Sequence, residues 1–156
     1  MITLYGGPTP NARKIAIALI EMRLDWRLEY IDILAGDQLT PEFLALNPNN
    51  KTPVIVDDEG PDGERFVLWE TGALLLYLAE KFGEFLPSDH HKRTETLNWL
   101  FWQMASAPYL GGGFGHFYAY APVKIEYCID RFAMEVKRQL DVLDRHLADN
   151  EYMAGD

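Results

Sequence analysis

The apolar positions change rhythm along the chain, and each change marks an element. Ile2 to Tyr5 form a short apolar run ending at Gly6-Gly7-Pro8, the mark of a buried strand entering a turn. Thr9-Pro10-Asn11 then opens a helix; either Thr9 is its N-cap with Pro10 in the first helical position, or Asn11 caps it one turn later. Ile15, Ala18, Leu19 and Met22 recur at helical spacing and make its core face. Trp26, Leu28 and Tyr30 alternate with Arg27, Glu29 and Ile31, the period of a second strand. A β-α-β opening of this kind places its two strands parallel.

The rhythm then shortens. Thr40-Pro41-Glu42 starts a brief helix through Phe43-Leu44-Ala45-Leu46, which Asn47-Pro48 stops. Val54-Ile55-Val56 and Phe66-Val67-Leu68-Trp69 read as a hairpin with a wide loop, because the acidic stretch Asp57 to Glu64 carries Gly and Pro between them. Glu70-Thr71-Gly72 begins another helix, with Leu74, Leu75, Leu78 and Phe82 on its apolar face and Gly83 as its C-terminal cap. Through Gly83 the order is β-α-β-α-β-β-α, a mixed sheet with helices on it. Past the turn residues Leu86-Pro87-Ser88-Asp89 only helix is expected. Leu97, Leu100, Phe101 and Met104 mark one helix, and the glycine-rich, aromatic stretch Ala107 to Tyr120 reads as a loop. From Pro122 a long helix carries Ile125, Ile129, Phe132, Val136, Leu140, Leu143 and Leu147 on one stripe. The fold class is therefore an α/β half followed by an all-α half.

Composition narrows the function. The 156 residues include 14 Lys+Arg against 24 Asp+Glu, a formal charge of −10, which argues against binding nucleic acid through bulk electrostatics. With 48% hydrophobic and 13% aromatic residues the chain is globular rather than disordered. Cys128 stands alone, so it forms no internal disulfide, and cysteine supplies no metal cluster. His90, His91, His116 and His146 have no helical metal-ligand spacing, and no metal is expected. The start MITLYGGPTPNARK does not read as a secretory leader, and charge interrupts every apolar run before it could span a bilayer. These features point to a cytoplasmic location, with neither membrane nor nucleic acid as partner.

Candidate chemistry lies at three turns. In Lys51-Thr52-Pro53-Val54 a proline directly precedes a strand, a place where a cis X-Pro bond would turn the Thr52 N–H and C=O outward to pair with an extended peptide. An ordinary turn proline would account for the same residues. Glu70-Thr71 stands at a helix N-terminus, where backbone N–H groups and a partial positive charge suit a carboxylate and a neighbouring acid suits an ammonium. A Thr71 N-cap with Glu70 in solvent is the plainer alternative. In Pro8-Thr9-Pro10-Asn11 a hydroxyl or amide could donate to a thiolate and lower the thiol pKa, or could simply cap the helix.

The segments LYGGPTPNARK, FLALNPNNKTPVIVD, LWETGALLLYLAEK and ETLNWLFWQM carry a resemblance that spans the chain. It resembles glutathione transferase-like proteins, and most of all the bacterial nu class, whose members are glutathione-dependent disulfide-bond reductases. The resemblance implies a thioredoxin-like glutathione-binding domain over 1–84 and a truncated helical C-terminal domain over 90–156. It also implies a homodimer holding two glutathione molecules. By position, Thr9 and Asn11 would face the glutathione sulfur, the Thr52 backbone would pair with the cysteinyl part, and Pro53 would be the cis-proline. Glu70 and Thr71 would hold the γ-glutamyl end, Gln38 and Lys51 would approach the glycine carboxylate, and Arg131 would reach the neighbouring subunit's ligand. Thr71 replaces the serine more usual there and keeps the hydroxyl.

The same resemblance implies glutathione or glutathione disulfide as ligand and a small or protein disulfide as substrate. Two other functions stay open at this point: conjugation of glutathione to electrophiles, and a non-catalytic interaction module. Tyr5, at the end of the first strand, is a rival for the hydroxyl that activates the thiol, although packing is its commoner use. Cys128, inside a helix without a C-x-x-C partner, is expected to be buried and inert. Gly111-Gly112-Gly113-Phe114-Gly115-His116 lacks the ending of a nucleotide loop. The related proteins continue past the Tyr152 to Asp156 stretch into further helices. Cover for the stripe from Ile129 to Leu147 is therefore expected from a partner, a swap or another packing; the alternative is a fragment with reduced or no activity.

Overall fold

The computed structural model describes residues 1–155. Contacts divide the chain into two compact units, Met1–Leu86 and the part from Pro87 onward. In the first unit β1 (Ile2–Gly6), α1 (Pro10–Glu21), β2 (Trp26–Tyr30), α2 (Pro41–Leu46), β3 (Val54–Asp57), β4 (Phe66–Trp69) and α3 (Thr71–Phe82) follow one another in the order the apolar rhythm predicts. The sheet runs β2-β1-β3-β4, with β2 parallel to β1 and both β3–β1 and β3–β4 antiparallel.

Alternation along the central strands sorts the core into two layers. Ile2 and Leu4 of β1 and Ile55 of β3 join Ile15 and Leu19 of α1 and Leu74 and Leu78 of α3 in one buried cluster. Thr3, Val54 and Val56 turn to the other face and are buried there, as is Phe43 of α2. All four residues of β3 are buried. β2 is the strand its alternation predicts and lies at the sheet edge, where Leu28 and Tyr30 are 51% and 58% exposed.

Caps set the helix ends. Thr9, in extended conformation, accepts the Ala12 N–H at 3.2 Å with Pro10 following it, so the first of the two capping alternatives is the one realised. Thr40 caps α2 in the same way through the Phe43 N–H. Gly83, at φ 72°, ends α3 in the left-handed conformation that glycine adopts without penalty.

The second unit holds α4 (His90–Pro108) and α5 (Glu126–Asp149), and three expectations need correction there. Tyr109–Tyr120 is not a loop but a wide π-helical continuation of α4, closed by an Ala121 N–H to His116 C=O bond of 2.8 Å. Glycine disfavours helix by propensity, yet packing overrides it: Phe117 and Phe132 of α5 stack with centroids 5.5 Å apart. Gly113 lies so close to that ring that an added Cβ would stand 2.4 Å from it. The long helix also starts at Glu126 rather than Pro122, with Ile125 at its N-cap position. Trp99 of α4 meets His146 of α5 with ring centroids 4.4 Å apart. Along the α5 stripe Val136 is buried, whereas Leu140 and Leu147 stay 53% and 44% exposed within the chain. Cys128 is half-buried rather than buried. Among the described residues no helix is long and apolar enough to cross a membrane.

Candidate active site

Strand register brings three of the predicted turns to one end of the sheet. Tyr5 of β1 stands beside Val54 of β3, and Val54 stands beside Trp69 of β4. One or a few residues beyond that row, the chain runs into the Gly6–Pro10 turn after β1, the Lys51–Pro53 turn before β3, and the Glu70–Thr71 step after β4. Three segments far apart in sequence thus share one edge. The β1 turn is tight as well, since a Cβ on Gly6 would fall 2.9 Å from the Ala12 Cβ.

At the first turn, the Thr9 oxygen is used as acceptor by the α1 cap. A hydroxyl has one proton to donate besides its lone pairs, so Thr9 can cap the helix and still donate outward. The two readings of this residue are chemically compatible. Asn11 is exposed on the first turn of α1.

At the second turn, the Thr52–Pro53 peptide bond is cis. Pro53 is buried and Lys51 is exposed. Asn47, only 1% exposed, spans the loop from α2: its Nδ2 donates to the Lys51 carbonyl at 2.7 Å and its Oδ1 accepts the Asn49 N–H at 2.9 Å. Asn49 in turn donates to the Glu70 carboxylate at 3.4 Å, tying the second turn to the third. Neither asparagine was singled out from the sequence. Their only signal was the cluster Asn47-Pro48-Asn49-Asn50, which reads first as a helix stop.

At the third, Glu70 occupies the N-cap position of α3 with φ 72° and ψ 114° and makes no side-chain cap. Such a backbone in a non-glycine residue costs about 1–3 kcal/mol and collects at ligand sites. Thr71 is the first helical residue, not the cap, and is 7% exposed. Its Oγ1 receives a 3.4 Å hydrogen bond from Lys14 of α1, and burial holds the Lys14 pKa below the ordinary lysine value.

The remaining candidates are placed less directly. Gln38, in the short turn Asp37–Leu39, donates to the Ile33 carbonyl at 3.3 Å, and its Oε1 is buried with no hydrogen-bond partner among the described residues. Arg131 lies exposed on α5, in the other unit. Tyr5 points to the α2 side and lines an open cavity of about 420 Å3 with Ile31, Asp37, Thr40, Glu42 and Phe43. Among the described residues no group of three or more His, Cys, Asp or Glu side chains is placed to hold a metal ion.

Comparison with known proteins gives this geometry its context. Residues 9–81 match the model of the glutathione S-transferase N-terminal domain. The chain is 52% identical over 161 residues to the disulfide-bond oxidoreductase YghU of Escherichia coli K12, covering 99% of this chain and 55% of YghU. It is 45% identical over 157 residues to the disulfide-bond oxidoreductase YfcG of the same organism, covering 100% of this chain and 73% of YfcG. A glutathione transferase of Pseudomonas putida, solved with one glutathione disulfide per subunit, superposes with a TM-score of 0.95 at 41% identity, over 99% of this chain and 68% of that one. The chain thus spans little more than half the length of YghU.

Proposed function

The chain belongs to the glutathione transferase family, and from that premise we propose that it binds glutathione at the three turns and reduces disulfides with the bound thiolate. The observation that carries this reading is the row Tyr5–Val54–Trp69, which sets Thr9, the cis Thr52–Pro53 bond and Glu70 at one end of the sheet. Names of relatives agree with it, since YghU and YfcG are disulfide-bond oxidoreductases and the Pseudomonas putida protein holds glutathione disulfide.

In this reading the tripeptide lies extended along the edge. The Thr52 N–H and C=O pair with the cysteinyl residue as an added strand would. Glu70 accepts from the γ-glutamyl ammonium, while Thr71 and the first turn of α3 receive the carboxylate. Gln38 and Lys51 serve the glycine end. Thr9 and Asn11 donate to the sulfur and hold it as thiolate at neutral pH. That thiolate attacks one sulfur of the substrate disulfide, forming a glutathione mixed disulfide and expelling the other sulfur as a thiolate. A second glutathione thiolate then attacks the glutathione sulfur of the mixed disulfide, releasing the second substrate thiolate and leaving glutathione disulfide. Two electrons pass to the substrate, and no protein cysteine takes part. The protein acts as a cytoplasmic homodimer in which Arg131 of one subunit reaches the ligand of the other.

Calorimetric titration of the folded chain with glutathione and glutathione disulfide, followed by turnover of a mixed-disulfide and an aromatic halide substrate, tests the proposal. Saturable binding of both ligands, disulfide turnover, and its loss in the Thr9→Ala/Asn11→Ala double variant are expected. Turnover of the halide alone would replace the reading with conjugation. No binding by a folded sample would overturn it.

A further inference from the structure

One carboxylate on α5 has two arginines at helical spacing and takes only one of them. Arg131, Glu135 and Arg138 follow one another four and three residues apart, so all three share one stripe of the helix. Glu135 accepts from Arg138 through a fork: Nη2 donates to Oε1 at 2.6 Å, and Nε reaches both carboxylate oxygens at 3.2 Å. Gln139, only 6% exposed, donates its Nε2 to the same Oε1 at 3.1 Å and fixes the carboxylate from the buried side. Both partners lie C-terminal to Glu135. Arg131 lies one turn N-terminal to it and is exposed. Among the described residues Arg131 makes no hydrogen bond or ion pair, although its charge is felt at Glu135.

The order of the residues explains which arginine is taken. An acid that precedes its base along a helix pairs better than one that follows it. The guanidinium fork of Arg138 then adds directed, charge-assisted bonds to that preference. Bonds from Arg138 and then Gln139 hold the Glu135 carboxyl down to about 2, so it is ionised at neutral pH. Without Arg138, that charge would be left facing Arg131.

We infer that Arg138 is a positioning residue: by occupying Glu135 it leaves the Arg131 guanidinium uncommitted and available to an anionic group of the ligand. The inference rests on the proposed reading that Arg131 of one subunit reaches the ligand of the other. It gives the Glu135–Arg138 pair a use that folding does not demand, since ion pairs at exposed helix positions contribute little to stability.

The test measures glutathione affinity by calorimetry on the wild type, Arg131→Met, Arg138→Met, Arg138→Lys and the double variant Arg138→Met/Glu135→Gln. The Arg138 side chain is 55% exposed, so its replacements keep the fold, which circular dichroism verifies. Arg131→Met should weaken glutathione about tenfold, as loss of a charge-assisted contact does. Arg138→Met should weaken it about threefold, because the freed Glu135 then competes for Arg131. The double variant removes the competitor and should return to wild-type affinity, and Arg138→Lys, which keeps a charge for Glu135, should lose less than Arg138→Met. Nitrogen-15 NMR of the arginine side chains should show the Arg131 Nε–H exchanging more slowly in Arg138→Met than in the wild type. A double variant as weak as Arg138→Met, or an Arg131 signal that does not respond, would overturn the role of Arg138. So would unchanged affinity in Arg138→Met beside a weakened Arg131→Met. Unchanged affinity in Arg131→Met would remove the Arg131 contact and the inference with it, and would leave glutathione binding at the three turns standing.

Discussion

The Asn47 side chain donates to the Lys51 carbonyl at 2.7 Å and accepts from the Asn49 N–H at 2.9 Å, so one fully buried amide braces the entire approach to Pro53. Through Asn49 the same brace reaches Glu70. Asn47→Ala leaves two backbone groups of that loop without their partner and should cost about 1–3 kcal/mol of stability. Glutathione affinity should fall as well, because the Thr52 backbone and Glu70 are both positioned by this loop. Urea denaturation and calorimetry on the same sample check both; unchanged values would show that the loop holds its shape without Asn47.

Thr9 caps α1 and, in the proposed reading, also donates to the glutathione sulfur, and substitutions test the two together. Thr9→Ser retains the oxygen that accepts the Ala12 N–H and the proton proposed to face the ligand, so stability and turnover should both stay near wild type. Thr9→Val removes both and should cost about 1 kcal/mol of stability through the lost cap. Its effect on turnover should exceed what that instability explains, measured well below the unfolding midpoint.

Asp57 gives the first unit an acid-sensitive anchor. The residue is buried at the end of β3 and accepts from the Tyr77 hydroxyl at 2.8 Å, from the Lys81 ammonium and from the Glu59 N–H at 3.0 Å. Burial pushes its pKa up, but the bonds from Lys81, Tyr77 and Glu59 and the charge of Lys81 together outweigh it, and the pKa lies below the ordinary value. A carboxyl held lower in the folded state contributes stability above its unfolded pKa of about 3.9 and loses that contribution as pH falls through the folded value. Asp57→Asn should therefore be less stable than wild type at pH 7 by more than about 1 kcal/mol, with the gap closing in acid. Parallel pH profiles of the two proteins would reveal a constant gap if the anchor did not matter.

The close contact between Gly113 and Phe132 supplies a packing test in the second unit. A Cβ at position 113 would meet two ring carbons of Phe132 at 2.4 and 2.6 Å, and that ring is already stacked on Phe117. Gly113→Ala should cost about 1–3 kcal/mol by overpacking, even though alanine is the better helix former. Phe132→Leu in the same chain should recover part of it. A stabilising Gly113→Ala would mean that the π-helical turn relaxes freely.

How much of this was legible from residues alone follows from the range of each interaction. Strand and helix periods, the Thr9 cap, the Gly83 stop and the proline before β3 depend on neighbours a few positions apart, so the order of elements through α3 could be read off the chain. The stretch from Ala107 to Tyr120 could not, because glycine content argues for a loop, whereas ring contacts with α5 such as Tyr109–Phe132 and Phe117–Phe132 pack it in helical form. Cys128 is half-buried rather than buried for a related reason: apolar character does not say how far a helix is covered.

The sequence by itself determined which local conformations were available and which turns carried polar groups worth considering. Tertiary structure decided that these turns meet. The row Tyr5–Val54–Trp69 is a matter of strand register, set by which faces of β1, β3 and β4 are buried together rather than by anything within one turn. The contacts Asn49–Glu70 and Lys14–Thr71 join residues 21 and 57 positions apart, distances over which no periodicity or capping rule acts. Packing of α1 and α3 on one side of the sheet brings Lys14 to Thr71, and that packing turns a surface lysine of an amphipathic helix into a donor at the end of another.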